Sequence, residues 1–383
     1  MTQTYPPLTF SITSSIKDIP KQTWDSLFGD IIEDYGYHKT LEDAGMKKFS
    51  IGYLLGKRQE QIVAILPFFI TNFSFETVIG GFLHRIAHSL RRFLQVKVMF
   101  IGSPSTERYY LAIGQNENLK GIINSALLYL YRFAKKERLS GVLFYNISQK
   151  DKLLAEYLAK KNFFEMEGLP NTIIKISSDS LGSHINSLSR NMRKDLRRKL
   201  RRSSEQASLR TEIRDNIEGI EKDVYKLYMS NFNDSDVHFE ILTPEFFTNI
   251  CKNMPGIAKY FITYNKDKIV AFNLCLIKNN IFLDKYIGFD QVLAKAYHLY
   301  FTTFCYNFDW CIKNGLRFYQ TGATDYYPKM RLGAKLIPLY IYTRAFNPLL
   351  NTFLKIFKKF IEPKNLDSSL KDIKWFIKDG AEI

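Results

Sequence analysis

The sequence predicts a mixed α/β (α+β) protein made of two tandem halves, each a twisted mixed sheet flanked by helices. Short apolar runs with an alternating pattern indicate strands, and longer segments with apolar residues at three- and four-residue steps indicate helices. The same order of elements occurs once before and once after residue 180: helices, a hairpin, a long helix, a strand, a short helix and a strand. A repeated order of this length is typical of an internal duplication.

The elements of the first half can be assigned one by one. Pro20 precedes its first helix, and the polar turn Gly56–Gln61 joins the two runs of its hairpin. Its predicted elements are a strand at Leu8–Ser14, helices at Lys21–Phe28 and Tyr37–Ala44, a hairpin of Phe49–Leu55 and Ile62–Phe69, a helix at Val78–Leu94, a strand at Val96–Gly102, a long helix at Asn118–Glu137, a strand at Gly141–Ile147, a helix at Lys150–Lys161 and a closing strand at Ile173–Ile176.

The second half begins, after the polar link Ser177–Gly182, with a basic helix at Ser187–Arg202. The order of the first half then returns. Its predicted elements are helices at Ile217–Asn231 and Pro244–Asn253, a hairpin of Tyr260–Tyr264 and Ile269–Ile277, a strand at Ile281–Gly288, a long helix at Val292–Asn314, a strand at Leu316–Thr321, a short helix at Tyr327–Leu332 and a last strand at Lys335–Tyr342.

Matching letters support the duplication. Ile62–Ala64 matches Ile269–Ala271 at an offset of 207 residues, whereas Gly141, Phe144 and Tyr145 match Gly315, Phe318 and Tyr319 at an offset of 174. The difference between the offsets predicts an insertion near residues 71–103 of the first half. We therefore expect a first repeat at 1–180, a second repeat at 181–345 that carries the active site, and a tail at 346–383.

Composition and charge restrict the class of protein. With 383 residues, of which 46% are hydrophobic and 15% aromatic, the chain can bury a large core. Its formal net charge of +16 favours an anionic partner without separating nucleic acid, anionic lipid and a phosphorylated small molecule. The four cysteines lie in the second half without a CxxC pair, which predicts free buried thiols in the reducing cytoplasm.

No segment predicts export, a membrane crossing or a metal site. The first residues lack a basic region followed by an apolar core, and Ile62–Leu83 is interrupted by Pro67 and several polar residues. His84 and His88 have metal-ligand spacing, but no carboxylate lies near them, so we interpret them as part of a solvated helix face. We expect a cytoplasmic protein without a metal, and peripheral contact with the inner face of the membrane is the alternative.

The basic helix Ser187–Arg202 carries eight cations and a single acid, Asp195. Such a helix is typical of nucleic-acid or membrane-surface binding. However, its apolar stripe predicts docking on the sheet of the second repeat, which would fix the cations beside a cleft. We therefore expect Arg193 and Arg197, one turn apart, to bind phosphates of the donor or acceptor. The residues of the stripe are Ile185, Leu188, Met192, Leu196 and Leu200.

The order of hairpin, long helix, strand, helix and strand is that of GNAT-type acyltransferases, so we expect two tandem GNAT-like repeats. In that fold two parallel strands part and leave backbone groups free to hold a thioester donor, beside a helix N-terminus that binds phosphate. The candidates are the strands Ile281–Gly288 and Leu316–Thr321 and the helix from Val292. A phosphate-binding glycine loop is absent, and only Gly288 and Lys295 remain as residues for binding acyl-CoA.

The segments Ser189–Arg198 and Tyr326–Ala334 resemble two motifs of predicted N-acyltransferases related to the Fem-type peptidoglycan aminoacyltransferases, a branch of tandem GNAT-like proteins. The resemblance covers Ile185–Tyr342, and the first half by architecture only. It implies transfer of an acyl group from a thioester, on CoA or a carrier protein, to an amine. The coiled-coil arm of the tRNA-dependent Fem enzymes has no counterpart. Transfer from aminoacyl-tRNA and a non-enzymatic nucleic-acid-binding protein stay as alternatives.

Amine acylation requires a proton acceptor, donors for the developing oxyanion and cations for phosphates. Asp284 and Tyr286 alternate on one strand and are expected to share a sheet face, and Asp325 and Tyr326 follow the next strand. We predict these four as catalytic, with Tyr319 and Lys329 as substrate-binding. The structural alternatives are an Asp284–Lys285 ion pair, a helix N-cap at Asp325 and an exposed surface lysine at Lys329.

The tail repeats the combination of an apolar stripe with cations. Docking onto the protein is the first interpretation, and contact with an anionic membrane surface is the alternative. That alternative fits a lipid-linked or cell-envelope acceptor. The apolar residues are Leu349, Leu350, Phe353, Ile356, Phe357 and Phe360, and the cations are Lys355, Lys358 and Lys359.

Overall fold

The computed structural model of the protein describes residues 6–74, 95–234 and 240–371, together with Phe376. The helix predicted at Val78–Leu94, with His84 and His88, lies outside these residues. The described residues form two mixed sheets with helices, which confirms the predicted mixed α/β class and its two tandem halves. None of the described helices combines the length and the apolar composition that a membrane crossing requires.

The first half follows the predicted order and adds two short strands that were not predicted, Ala112–Ile113 and Phe164–Glu167. Its strands are β1 (Leu8–Thr13), β2 (Ser50–Arg58), β3 (Gln61–Ser74), β4 (Gln95–Ile101), β5 (Ala112–Ile113), β6 (Gly141–Ser148), β7 (Phe164–Glu167) and β8 (Asn171–Lys175). Its helices are α1 (Lys21–Phe28), α2 (Tyr35–Asp43), α3 (Leu119–Lys136) and α4 (Lys152–Lys160).

The second half repeats this order behind the basic helix. Its helices are α5 (Leu181–Ser187), α6 (Arg190–Gln206), α7 (Glu221–Asp234), α8 (Pro244–Asn253), α9 (Gln291–Tyr297), α10 (Leu299–Lys313), α11 (Tyr326–Arg331), α12 (Pro348–Ile361) and α13 (Pro363–Leu366). Its strands are β9 (Leu209–Arg214), β10 (Ala258–Asn265), β11 (Lys268–Lys278), β12 (Ile281–Phe289), β13 (Phe318–Thr321), β14 (Lys335–Ile337) and β15 (Leu339–Ala345).

The two halves exchange one strand each. The first sheet has the order β1-β2-β3-β4-β6-β15-β7, with β5 on β3, and the second has the order β14-β8-β13-β12-β11-β10-β9. In each half a proline, Pro170 or Pro338, precedes the strand that crosses into the other sheet. Proline lacks the N–H that a continuing strand would need, so the chain leaves its own sheet at that point.

Two predicted elements are divided in the structure, and one is in the other sheet. The strand predicted at Lys335–Tyr342 is split at Pro338 into β14 and β15. The helix predicted at Val292–Asn314 is interrupted at His298, whose left-handed backbone (φ 51°, ψ 42°) separates α9 from α10. The strand predicted to close the first half is β8, and it pairs with β13 and β14 of the second sheet.

The largest hydrophobic core lies between the two sheets and belongs to both halves. It joins residues of β3 and β4 to residues of β10, β11 and β12, with α2, α7 and α8 packed among them. A second core lies under α3 and α4 on the other face of the first sheet. A third lies under α6 and α10, and all five residues of the predicted stripe pack in it or against it. The stripe is divided between two helices, because the helical run breaks at Leu188 and Ser189: Ile185 lies on α5, Leu188 ends α5, and Leu196 is buried on α6.

Candidate active site

A cavity of about 570 Å³ lies between the sheets, where the parallel strands of both halves part. The pairing of β4 with β6 ends at Ile101 and Phe144, and that of β12 with β13 ends at Asp284 and Thr321. The strand β13 ends at Thr321, whereas β12 continues beyond Asp284 to Phe289 without a parallel partner. Residues of both halves line the cavity, so the site depends on how the two sheets are assembled.

A β-bulge at Lys285 sets the direction of the side chains of β12. Asp284 pairs with Cys275 and Tyr286 with Leu274, which leaves Lys285 as the extra residue. Tyr286 therefore packs on the face that contacts Tyr228, Phe246 and Phe247, whereas Asp284 lies on the opposite face. The expectation that Asp284 and Tyr286 share a face is wrong, because the bulge shifts the two-residue alternation. Both side chains nevertheless reach the cavity.

The Asp284 carboxylate is held at the point where β12 and β13 part. The Asn273 amide nitrogen donates to both of its oxygens at 2.9 and 3.0 Å, and the Tyr319 hydroxyl donates to Oδ2 at 2.7 Å. Burial raises the pKa of Asp284 above its usual value, although these hydrogen bonds act in the opposite direction. Asp284 is thus a buried acid with a fixed orientation, and the hydrogen bond from Tyr319 helps to position its carboxylate.

Lys285 forms an ion cluster that joins the halves and does not pair with Asp284. Its ammonium lies 2.7 Å from Glu33 Oε1 and 2.8 Å from Glu107 Oε1, and Tyr110 donates to Glu33 at 2.9 Å. Burial raises the pKa of Glu33, and the charge of Glu107 raises it further. Burial lowers the pKa of Lys285, but the two carboxylates outweigh that effect and keep its pKa above the usual value. Two carboxylates therefore share one ammonium at the cavity wall.

Lys329 is buried at the other side of Asp284, so it is not a surface lysine. Its ammonium donates to three successive carbonyl oxygens, those of Gly322 at 2.6 Å, Ala323 at 3.2 Å and Thr324 at 2.7 Å. Burial lowers the pKa of Lys329 to about 8, against the opposing charges of Asp325, Glu107 and Asp284. The side chain lines the cavity, so a cation is fixed beside the buried acid.

The loop that Lys329 holds has an unusual backbone. Thr324 and Asp325 both have positive φ, 67° and 46°, which is costly for side chains with a Cβ and most of all for a β-branched residue. Asp325 occupies the N-cap position of α11, yet its side chain makes no capping hydrogen bond. It is exposed at the mouth of the cavity. The three carbonyl contacts of Lys329 hold the loop in this strained shape.

Several predicted site residues lie away from the cavity. Tyr326 is buried and donates to Pro170 O at 3.0 Å. Gly288 permits close packing, since a Cβ there would lie 2.7 Å from Leu227 C and 2.8 Å from Tyr228 N. Lys295 is exposed on α9.

The two arginines selected on the basic helix also lie away from the cavity lining. Arg193 donates to Asn186 O at 2.7 Å, and Arg197 donates to Asn186 Oδ1 at 2.6 Å. Both side chains therefore fasten α6 to the end of α5. The remaining exposed cations of α6 project from the same helix beside α9 and α10, against which it packs.

The sequence analysis missed Glu33, Glu107 and Asn273, which complete the site. Glu33 and Glu107 lie in connecting segments, far from Lys285 in sequence, and only the pairing of the halves brings them together. One signal was present: Lys285 is a second charged residue within a strand that is otherwise apolar. A buried lysine requires acidic partners, which would have directed attention to the first half.

Comparison with known proteins gives this architecture a family. The model of the FemAB-like family, described as peptidoglycan biosynthesis/recognition, matches residues 15–365. The chain therefore belongs to the FemAB-like family, and it is a transferase with tandem GNAT-like repeats that moves acyl or aminoacyl groups. No curated protein matches it in sequence.

Solved structures share the fold at low identity. The crystal structure of FemX aligns with a TM-score of 0.55 at 12% identity and covers 91% of this chain and 100% of its own. L-PGS from Bacillus licheniformis aligns at 0.53 and 10% identity, over 89% and 94% of the two chains. A tandem GNAT protein from the clavulanic acid biosynthesis pathway aligns at 0.50 and 10% identity, over 89% and 99%.

Proposed function

We propose that this enzyme transfers an aminoacyl group from the ester of an aminoacyl-tRNA to a primary amine of an acceptor held in the cavity. The amine nitrogen attacks the ester carbonyl carbon, the C–N bond forms, and a tetrahedral oxyanion develops. The ester C–O bond then breaks, and the released ribose hydroxyl receives a proton while the amine loses one. The observation that carries the choice of donor is the start of α9.

The first turn of α9 is already occupied by an acid. Asp290 is the N-cap, its side chain accepts from Leu293 N at 3.2 Å, and it pairs with Lys268 at 2.7 Å. In a GNAT fold this turn follows the donor-binding strand, and its N–H groups are available to a phosphate. A carboxylate at that position repels a pyrophosphate and competes for the same N–H groups. This arrangement supports a donor other than CoA.

The exposed cations of α6 suit a polyanionic donor. Because the stripe of α6 is buried against α10, the cations project outward in a row that contains two acids, Asp195 and Glu205. Asp195 is paired with Lys199, Arg198 and Arg331. Glu205 lies 3.6 Å from Arg201, and the cations still outnumber the acids by a wide margin. A row of this kind binds the phosphates of RNA with an affinity that falls as salt rises. Its exposed members, apart from Arg197, which contacts Asn186, are Arg190, Lys194, Arg198, Arg201 and Arg202.

The chemistry is assigned to Lys329, Asp284 and Glu107. The Lys329 ammonium lines the cavity, its charge acts on Asp284, and it stabilises the oxyanion. The acceptor binds as an ammonium beside the carboxylates of Asp284 and Glu107. These carboxylates accept the proton that the amine loses during the reaction. Thus the cavity selects an amine by charge. An amine of a lipid-linked or cell-envelope precursor fits the apolar wall beside these groups, which includes Val98, Phe100 and Leu143.

A thioester donor is the second candidate, and the parted strands favour it. From Lys285 to Phe289 the backbone of β12 has no parallel partner, so its polar groups are free to pair with a pantetheine arm. A carrier-protein thioester brings this arm without a pyrophosphate. It therefore avoids the conflict with Asp290.

Parallel donor assays separate these candidates. The purified protein is given labelled aminoacyl-tRNA, acyl-CoA or acyl carrier protein with a lysyl-peptide acceptor, and product is followed by mass spectrometry. We expect transfer from tRNA, reduced about tenfold or more in kcat/KM by Arg198→Ala with Arg201→Ala at low salt. Release of free thiol from a thioester donor, without transfer from tRNA, would replace the first candidate by the second.

A further inference from the structure

We infer that α12 lies on an anionic membrane surface, with its exposed apolar side chains inserted among the lipids. Leu349, Phe353, Ile356 and Phe357, called here the tail stripe, expose 82%, 47%, 64% and 40% of their surface. They recur at four- and three-residue steps and so occupy one flank of the helix. Phe353 and Phe357 stack with ring centroids 4.2 Å apart, which makes this flank one continuous apolar surface.

The adjoining flank fixes the helix to the protein. Leu350 and Leu354 pack on Phe164, Met166 and Ala345 at the edge of the first sheet. Polar contacts secure both ends: Asn351 accepts from Ala345 N at 2.9 Å, and Lys358 donates to Glu165 O at 2.9 Å. Since the helix is held along its length, the tail stripe points away from the protein in a fixed direction. One flank of α12 therefore docks onto the protein, while another flank exposes apolar side chains.

Charge identifies the occupant as an anionic lipid surface. The helix Pro348–Ile361 contains Lys355, Lys358 and Lys359 and no acid. An amphipathic helix of this composition binds a bilayer by apolar insertion combined with attraction to anionic headgroups. A second copy of the chain on the same stripe would bring two sets of lysines together within a protein of net charge +16. The charges therefore oppose self-association and favour lipid.

The position of α12 connects this surface to the cavity. Leu350 and Leu354 line the cavity from the flank that adjoins the tail stripe, and Pro363, at the start of α13, lines it as well. With the stripe in the headgroup region, the cavity lies directly behind α12 and close to the bilayer surface. An amphiphilic acceptor then reaches the site without its hydrocarbon chain crossing water. Binding to lipid is independent of which donor the enzyme uses.

Vesicle sedimentation of the full-length protein tests the inference. We expect binding to vesicles of phosphatidylcholine with one quarter phosphatidylglycerol, and weak binding to phosphatidylcholine alone. L349E with I356E should reduce the partition coefficient at least ~tenfold, because two apolar side chains no longer insert. Lys355→Glu should reduce it more than about fivefold on anionic vesicles. The matched control is L128E, on α3 at the other face of the first sheet, where Leu128 is 55% exposed; its binding should be unchanged.

Other outcomes overturn the inference. Equal binding by wild type and L349E/I356E, or no binding to anionic vesicles, removes the role of α12. Light scattering that shows a wild-type dimer, dissociated by the double variant, would assign the stripe to a second copy. A Tm lowered by several degrees in the double variant, without vesicle binding by wild type, would show that the stripe is covered by the chain itself. Transfer to a short soluble amine should be the same in wild type and the double variant, which separates this test from that of the donor.

Discussion

Lys329 combines two tasks at the scale of one residue. Three carbonyl oxygens hold its ammonium and fix the strained turn at Thr324 and Asp325, while the same charge acts on Asp284 in the cavity lining. Burial lowers its pKa to about 8, so the residue remains mostly charged at neutral pH. The resemblance of Tyr326–Ala334 to a family motif pointed to this lysine. Its burial and its carbonyl partners came only from the structure.

The lowered pKa of Lys329 predicts how stability depends on pH. The unfolded chain, with a pKa near 10.5, binds more protons than the folded protein between about pH 8 and 10.5, so the contribution of this group to stability rises with pH across that window. Below about pH 8 the charged, buried Lys329 lowers the free energy of unfolding by its full amount, on the order of 3 kcal/mol.

Urea unfolding of wild type and Lys329→Met at pH 7.0 and 9.5 measures this difference. The variant should show a smaller gain in free energy of unfolding between the two pH values than wild type. Parallel gains in both proteins would show that the pKa of Lys329 is not lowered by folding.

The Lys285 cluster predicts an asymmetric cost of substitution. Lys285→Met leaves Glu33 and Glu107 buried without their cation and should lower the free energy of unfolding by about 3–5 kcal/mol. Glu33→Gln keeps the Lys285–Glu107 pair and should cost less than about 2 kcal/mol. Chemical denaturation at pH 7 compares the two variants. Equal losses would contradict the sharing of one ammonium by two carboxylates.

At the scale of elements, the sequence specified most helices and strands, but it missed the strands β5, β7 and β9, the helix α5 and the details of two strands. It predicted the hairpins, the long helix α3 and the docking of α6 because periodicity reports burial directly. It did not place the bulge at Lys285, since a single extra residue leaves the apolar pattern of β12 nearly unchanged. Pro338 was a visible signal inside the last predicted strand, and giving it more weight would have divided that strand into β14 and β15.

Gly288 provides a test of element packing. A Cβ at this position would meet backbone atoms of α7 at 2.7 and 2.8 Å, so Gly288→Ala must separate β12 from α7 and should destabilise the protein by about 1–3 kcal/mol. Gly182→Ala is the control, because its Cβ would meet only Ser180 Oγ at 3.9 Å on a helix. Thermal unfolding should show a lower Tm for the first variant and an unchanged or higher Tm for the second. A neutral Gly288→Ala would reject tight packing of α7 on β12.

At the scale of the whole molecule, strand exchange explains why the site lies between the halves. Each crossing strand completes the partner's sheet, and the central core draws on both sheets and on α2, α7 and α8. The repeated order of elements in the sequence predicted the two halves. It does not predict which of the two sheets a given strand joins. The same limit applies to Glu33 and Glu107, whose role follows from the exchange. The domain boundary at residue 180 stays a prediction.

Separate expression of the halves tests the consequence of this exchange. Residues 1–180 alone lack β15, and residues 181–383 alone lack β8, so neither fragment can complete its sheet. We expect the full chain to unfold in one cooperative transition and each fragment to be unfolded or aggregated by circular dichroism. A fragment with its own cooperative transition would show that the halves are independent.

The central claim is that acyl transfer to an amine takes place in the cavity beside Lys329 and Asp284. The most direct measurement is the rate of labelled product formation by wild type, Lys329→Met and the exposed control Lys295→Met, with aminoacyl-tRNA and a lysyl-peptide at saturating concentrations. Loss of the ammonium should lower kcat by about 10²-fold or more, whereas the control keeps the wild-type rate. Equal rates for all three proteins would contradict the account.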